Sequence, residues 1–353
     1  MSNFKRLMTF ACANGSRKRE KRMDLKSQLW LPLVLAESLI LLPLFTFGQR
    51  TSAQESDIKS AESRDLRWQA LNRDATKAYK AAQFELAEHL HLAAIKEAEQ
   101  LSEGGPPMAT SLNNLATVYA ATGRYGDAES ALKRALHIYE RSPQPDDTET
   151  ASTLINLGSV YYDQGLYEAA EEVYKRSLAS LQKALGSEHP LVVTTLNNLA
   201  EVYRTQRRYT DAEAFYIRAL VILEKSPKEE GYLASTLNNL GLLYADQQRN
   251  SEAELLHHRA LWIWRKKLGT EHPEVGVGLN NLAELYCKQG RYAEAKVLFD
   301  RSVTILEKTL GPKHPHVAKV INNLALLHYE QGNAAEAEAI LRKLENSENP
   351  RLE

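Results

Sequence analysis

Cysteine is almost missing from this 353-residue sequence: Cys12 and Cys287 lie far apart, in no CxxC or Cys/His spacing. That excludes a disulfide framework and the usual zinc spacings. No glycine-rich phosphate loop, GxSxG or HExxH occurs, so the local signatures of nucleotide, hydrolase and metalloprotease chemistry are absent. With no convergent nucleophile, base or metal set, the sequence reads as a non-enzyme that needs no cofactor. A basic stripe is lacking too. Beyond residue 53 the chain holds 35 Lys/Arg against 42 Asp/Glu, a net charge of −7, which argues against nucleic acid or anionic lipid as partner. The 25% charged and 43% hydrophobic content is otherwise that of a soluble folded chain.

Long apolar runs are also scarce; the exception lies near the N-terminus. RKREKR (Arg17 to Arg22) precedes WLPLVLAESLILLPLFTFG (Trp30 to Gly48), and Thr51 and Ala53 stand at −3 and −1 of a small-residue cleavage site before Gln54. This is the layout of a secretory leader, with Met1 or Met23 as the start. Glu37 interrupts the run, whose length is close to the roughly 20 residues that span a bilayer. Residues 1–53 therefore read as a basic leader plus signal peptide or signal anchor. In either case the positive flank stays cytoplasmic and the body is exported, periplasmic or secreted. A lone Cys287 thiol is compatible with an oxidising compartment. Residues 54–65 read as a polar linker and residues 346–353 as a polar tail.

What the sequence does have is internal repetition. An apolar anchor recurs at Leu112, Leu154, Leu196, Leu237, Leu279 and Ile321, at intervals of 42, 42, 41, 42 and 42. A weaker copy begins at Leu71, making about seven units over residues 66–345, the first degenerate. In the Leu196 unit, Leu196, Leu199, Ala200 and Tyr203 lie at i, i+3, i+4 and i+7, one face of a helix. QRRYTD breaks it, and a second helix carries Ala212, Phe215, Tyr216, Ala219, Leu220 and Leu223. Second helices often end in LG, with Gly186, Gly269 or Gly311 placed for a left-handed residue past a helix end. His189, His272 and His314 each precede a proline suited to the first turn of the next helix, and read as residues that start that helix.

Leu-x2-Leu-Gly/Ala-x2-Tyr followed by spaced alanines resembles the tetratricopeptide pattern. The 42-residue period, the LNNLA opening, the QGRY-x-EAE turn and the LG-x2-HP ending are similar to the repeats of kinesin light chain. The resemblance covers residues 68–345. It implies an all-α solenoid, a right-handed superhelix of antiparallel helix pairs, whose first helices line a concave groove that holds peptide segments of partners. The heptad region that joins a light chain to a motor is missing, so motor transport is not implied. Departures from the pattern are Arg207 and Gln248 at the turn glycine, Ile155 at the first asparagine and His328 at the packing tyrosine. SPQPDDTET and SPKEEGYLA replace two LG-x2-HP endings.

The recurrent Asn-Asn pair sits oddly in a helix, where asparagine competes for backbone groups. With Leu196 at 0° and about 100° per residue, the packed stripe centres near about 350°, Asn197 falls at about 100°, Glu201 at about 140° and Asn198 at about 200°. The pairs therefore lie off the core stripe, on the face the family uses as a groove. Second-position Asn198, Asn239 and Asn281, with Asn114, Asn156 and Asn323 in the same register, read as a ladder that pairs with the backbone of an extended peptide. First-position Asn197, Asn238 and Asn280 either line the groove or bond to the adjacent helix and fix the stacking. Glu201, Arg204, Glu284, Lys288 and Tyr162 would tune selectivity. His257 and His258 are adjacent, unlike the i, i+4 spacing metals use. Trp262 and Trp264 stand two apart on one helix, so at least one is open to a contact patch. The EAE carboxylates read as a solvated face.

The sequence thus points to a non-catalytic scaffold whose partner is another protein or peptide. No nucleic acid or small-molecule substrate is expected, and a membrane only through an uncleaved N-terminal segment. The alternative is an exported or anchored assembly factor that binds through its convex or end surfaces.

Overall fold

The computed structural model describes residues 52–102, 105–142, 147–226, 230–312 and 314–348; the leader lies outside them. Fourteen helices follow one another among the described residues: α1 (Ser52–Lys80), α2 (Phe84–Ser102), α3 (Pro106–Ala121), α4 (Tyr125–Arg141), α5 (Asp147–Asp163), α6 (Tyr167–Leu185), α7 (Pro190–Thr205), α8 (Tyr209–Glu224), α9 (Glu230–Asp246), α10 (Asn250–Leu268), α11 (Pro273–Lys288), α12 (Tyr292–Leu310), α13 (Pro315–Glu330) and α14 (Ala334–Glu348). Residues 54–65, read as a linker, are helical within α1, and α14 extends into the expected polar tail as far as Glu348.

The chain divides at Ser180, inside α6, into two compact units. In the first, α1 pairs with α2 and α3 with α4; in the second, α7 pairs with α8, α9 with α10, α11 with α12 and α13 with α14. Within each unit second helices pack on the following first helix, as α2 does on α3, α8 on α9 and α10 on α11, and in the second unit first helices also touch one another in sequence, α7–α9–α11–α13. The fold is an all-α solenoid of antiparallel pairs, each resting on its neighbours. Anchors Leu196, Leu237 and Leu279 are at most 1% exposed, and Ala212, Ala253 and Ala295 are fully buried where second helices press on first ones. Burying such a leucine stabilises by about 1.5–3 kcal/mol, while the alanines let the axes approach.

Local chemistry fixes the helix ends. The imidazole Nδ1 of His189, His272 and His314 accepts the backbone N–H of Leu191 (3.2 Å), Glu274 (3.3 Å) and His316 (3.2 Å). Each histidine caps its helix, and a proline occupies the next position, where no intrahelical N–H bond is lost. At the other end Gly269 (φ 87°, ψ 164°) and Gly311 (φ 87°, ψ 155°) adopt a region essentially reserved for glycine. The turn between paired helices also needs a positive φ, and here Arg207 (61°) and Gln248 (63°) take it without being glycine.

Turn arginines Arg124, Arg249 and Arg291 lock their repeats to the one before. The Arg249 guanidinium lies 3.6 Å from the centroid of the Tyr244 ring. It also binds Glu252 in its own repeat and Glu213 of the preceding one, which the Tyr244 hydroxyl contacts as well (2.7 Å). Arg291 repeats this with Tyr286, Glu294 and Glu254. Glu254, expected on a solvated face, is therefore an inter-repeat pin, its carboxyl held low against the effect of burial by Arg291 and Tyr286.

Candidate functional site

First helices of the second unit set their asparagine pairs side by side, because successive pairs differ by nearly whole repeats. The result is a ladder with a defined rule: the second-position amide donates to the first-position carbonyl one repeat earlier. Asn281 Nδ2 donates to Asn238 Oδ1 (3.2 Å) and Asn323 Nδ2 to Asn280 Oδ1 (2.9 Å). In the first unit Asn156 Nδ2 donates to Asn113 Oδ1 (3.0 Å) by the same rule. The two central pairs are far from solvent: Asn238, Asn239, Asn280 and Asn281 are 3–6% exposed. First positions thus fix the stacking, and second positions share that work to a degree the helical wheel did not show.

Two acidic centres extend the ladder. Asn280 and Asn323 both donate to Glu284 Oε1 (2.6 and 2.7 Å), and Lys319 lies 3.3 Å from it. Burial would raise the Glu284 carboxyl, but Lys319 and the two amides hold it below its usual range. Farther along, Arg204 grips Glu201 with two bonds (3.0 and 2.7 Å), bonds Asp246 of the next repeat, and Tyr216 donates to Glu201 (3.1 Å). Burial opposes the Arg204 charge, yet Glu201 and Asp246 raise its pKa further above the arginine value. Lys288, exposed, faces Asp246 at 3.6 Å. Tyr162, in the first unit, packs edge-on against Tyr167 at 5.5 Å.

Among the first helices of the second unit the ladder is open at one rung. Between α7 and α9, Asn197 turns its Nδ2 to Thr236 Oγ1 (2.8 Å), leaving Asn197 Oδ1 and Asn239 Nδ2 buried without partners. Asn198, half-buried, has no side-chain partner among the described residues, the first-position residue one repeat earlier being Ile155, which offers no amide carbonyl; Asn114 in the first unit has none either. Each buried unpaired polar atom costs about 1–3 kcal/mol.

Sequence reasoning missed His257 and His91. His257 Nδ1 donates to Asn238 Oδ1 (3.0 Å), and His91 Nδ1 bonds Asn72 Oδ1 (3.2 Å), each nineteen residues after its asparagine. That repeated interval was the available signal. Burial pushes both imidazoles down to about 4, for His257 against the pull of Glu284. At Gly241 a Cβ would stand 2.9 Å from the His257 ring, so the glycine is what admits it. Burial, with Glu330 and Glu284 nearby, pushes the Cys287 thiol up to about 12, which suppresses thiolate reactivity at neutral pH. Outside the ladder, a depression of about 420 Å³ opens between α4, α5 and α6, floored by Leu154, Leu157 and Tyr161. Val173 on its wall is smaller than Phe215, Leu256 and Leu298 at the same register.

Among the described residues no three His, Cys, Asp or Glu side chains gather as a metal site would require, and no helix is long and apolar enough to cross a membrane.

Comparison with known proteins agrees with this architecture. No individually curated protein matches the chain. Among solved structures, BtubC (BKLC) from P. vanneervenii is 24% identical over 70% of this chain and 92% of its own, with a TM-score of 0.51. A tetratricopeptide repeat protein from Parabacteroides merdae is 18% identical over 80% and 93%, TM-score 0.53. Aspartyl phosphate phosphatase F from Bacillus subtilis is 15% identical over 86% and 76%, TM-score 0.63. At these identities the likeness is one of fold. Sequence profiles of the tetratricopeptide repeat match residues 108–142, 149–225, 233–274 and 274–346, and the chain therefore belongs to the tetratricopeptide repeat family, whose members generally serve as protein-interaction scaffolds.

Proposed function

We propose that this chain is a non-catalytic scaffold that holds an extended peptide segment of a partner protein along the first helices α7, α9, α11 and α13. The observation that carries the reading is the open rung between α7 and α9. Three of the six second-position amides, those of Asn156, Asn281 and Asn323, are occupied in joining repeats. Asn198, by contrast, is half-buried and unpaired and follows Asn197 in sequence, whose carbonyl, like the Asn239 amide, has no partner. A peptide group supplies one donor and one acceptor, the complement of what is left over. Closed rungs make the wall rigid, so binding there orders little of the scaffold. Arg204, Glu201, Asp246 and Lys288 flank the rung and set which side chains are accepted.

Selection of displayed random peptides on the full chain, followed by fluorescence anisotropy on the enriched ones, tests the proposal. Losing one neutral hydrogen bond, about 1 kcal/mol, corresponds to roughly fivefold in affinity. Asn198→Ala should weaken binding by that factor and leave the melting temperature unchanged, while Asn281→Ala should lower the melting temperature. If no peptide enriches, or if Asn198→Ala binds as wild type does, the groove is not the site.

We propose in addition that the protein is exported, with residues 1–53 as signal peptide or anchor. Support comes from the sequence alone: Arg17 to Arg22, the apolar run Trp30 to Gly48, and Thr51 and Ala53 before Gln54. Cleavage after Ala53 would remove only the first two residues of α1. N-terminal sequencing of the protein from its native cell distinguishes cleavage from retention, and a cytoplasmic, uncleaved protein would refute export.

A further inference from the structure

The second helices present a different surface, and the two units treat it differently. Three positions on each second helix face outward. In the first unit they hold His89, Leu92 and Lys96 on α2, Ser130, Lys133 and His137 on α4, then Glu172, Lys175 and Ala179 on α6, with Leu92 the one large apolar residue among them. In the second unit the same register holds Ala214, Ile217 and Val221 on α8; Leu255, His258 and Trp262 on α10; and Val297, Asp300 and Thr304 on α12. Leu255 is 70% exposed, Val297 66% and Trp262 61%. Trp264, two residues on, is buried, so the two tryptophans have opposite roles. The three helices are tied side by side by Arg259 to Glu224 (3.7 Å) and Arg291 to Glu254 (2.9 Å). Five large or branched apolar side chains thus share one outer face, which is more than scattered surface hydrophobics explain.

Charge on α10 indicates what covers that face. Leu255 and Trp262, seven residues apart, form one stripe. The half of α10 before its midpoint carries Glu252 and Glu254. Each shares one arginine with a second carboxylate (Glu252 and Glu213 on Arg249, Glu254 and Glu294 on Arg291), so that this end stays net negative. Arg259 stands at the midpoint, and the half after it carries Arg265, Lys266 and Lys267, of which Lys267 pairs with Glu230. Arg265 and Lys266 have no carboxylate partner among the described residues, and Lys266 instead lies 4.8 Å over the Trp262 ring. A helix acidic at one end, basic at the other and apolar along its middle is complementary to itself turned end for end.

We propose that this face is a homodimer interface, in which α10 of one copy packs antiparallel on α10 of a second across a two-fold axis near His258. Leu255 and Trp262 of each copy form the apolar seam, and the Arg265–Lys266 end of one meets the Glu252–Glu254 end of the other. The contact is isologous, so it closes at two copies and does not propagate. Exposed Trp262 is the anchor, the residue type that most often dominates such interfaces. The peptide-holding face lies on the first helices and stays open in each copy.

Sedimentation equilibrium of the full chain tests this. Wild type should fit a dimer in the micromolar range. Trp262→Lys should weaken association by at least roughly thirtyfold, whereas Ala179→Lys, at the same register on α6, should not change it. Lys266→Glu should weaken the dimer, and adding Glu252→Lys to it should restore the dimer. A wild-type chain that stays monomeric overturns the proposal. So does an oligomer that survives Trp262→Lys, because association then runs through another part of the chain, the N-terminal apolar segment included.

Discussion

Lowering the pH should loosen the ladder before it touches any carboxylate, through His257. Its Nδ1 carries the proton donated to Asn238 Oδ1, and its Nε2 is buried with no partner. The folded protein therefore holds the ring neutral, with a pKa lowered from 6.5 to about 4. The sign follows: the unfolded chain binds a proton below 6.5 that the folded one refuses. Stability is full above 6.5 and is lost as pH falls towards 4. At pH 5 the loss is about 2 kcal/mol for this one residue, from about 1.4 kcal/mol per unit. His91 contributes a similar amount in the first unit, its pKa also lowered to about 4. Paired carboxylates such as Glu254 and Glu284 are shifted down from 4.5, so they lose stability only at lower pH and leave the interval from 7 to 5 to histidine. The assay is urea unfolding at several pH values in that interval, with the imidazole titration followed by NMR. In His257→Asn the side-chain amide replaces Nδ1 as donor but does not titrate, so the variant should lose about 2 kcal/mol less than wild type between pH 7 and 5. A His257 titration near 6.5, or identical pH dependence in the two proteins, refutes the reasoning.

Three further predictions rest on single contacts. Asn281→Ala removes the donor to Asn238 and should destabilise the second unit by about 1–2 kcal/mol, read as faster hydrogen exchange in α9 and α11. Arg207→Gly and Gln248→Gly relieve positive φ at the turns and should each raise stability by about 1 kcal/mol, seen as a higher melting temperature. His272→Ala deletes the cap on the Glu274 N–H and should destabilise by about 1 kcal/mol, with earlier exchange confined to the first turn of α11.

Most of the fold was legible because the repeat announces itself: anchors at near-constant spacing, alanines where helices touch, His-Pro at helix starts. Periodicity reports which face of a helix is packed, and it placed Leu196, Leu237 and Leu279 correctly. It does not report how far a neighbouring helix overhangs that face. A single-helix wheel put Asn239 and Asn281 away from the core, yet the adjoining first helices bury both. The wheel angle was sound; the missing quantity was inter-helix geometry. The same limit hid Glu213 and Glu254, which look like solvated carboxylates until the turn arginine of the next repeat reaches them. The linker reading of residues 54–65 did not include the helix that runs through them. Polar composition was taken as lack of structure, but QESDIKSAESRD contains no proline or glycine, and nothing in it stops α1.

One hydroxyl accounts for the open rung between α7 and α9. In the second unit the residue before the anchor is Gly278 ahead of Leu279 and Val320 ahead of Ile321, and both those rungs are closed. In the first unit Thr153 precedes Leu154 and the rung is closed too, with the Thr153 hydroxyl given to the backbone oxygen of Glu149 (2.8 Å). Ahead of Leu237 the residue is Thr236, whose hydroxyl captures Asn197 Nδ2. With its amide held that way, Asn197 cannot complete the rung with Asn239. Thr236→Val should release it and allow Asn239 Nδ2 to donate to Asn197 Oδ1, as Asn281 does to Asn238. One hydrogen bond of about 1 kcal/mol is lost and one is gained; two buried atoms gain a partner while Asn197 Nδ2 loses its own, a net gain of one satisfied atom, which leaves the variant between unchanged and about 1 kcal/mol more stable. Stability should therefore hold or rise while peptide affinity falls, since the groups left for a ligand are consumed. Side-chain amide protons of Asn239 should shift and exchange more slowly in NMR spectra. Loss of stability together with unchanged peptide affinity would show that Thr236 is a packing residue and that the open rung has no part in binding.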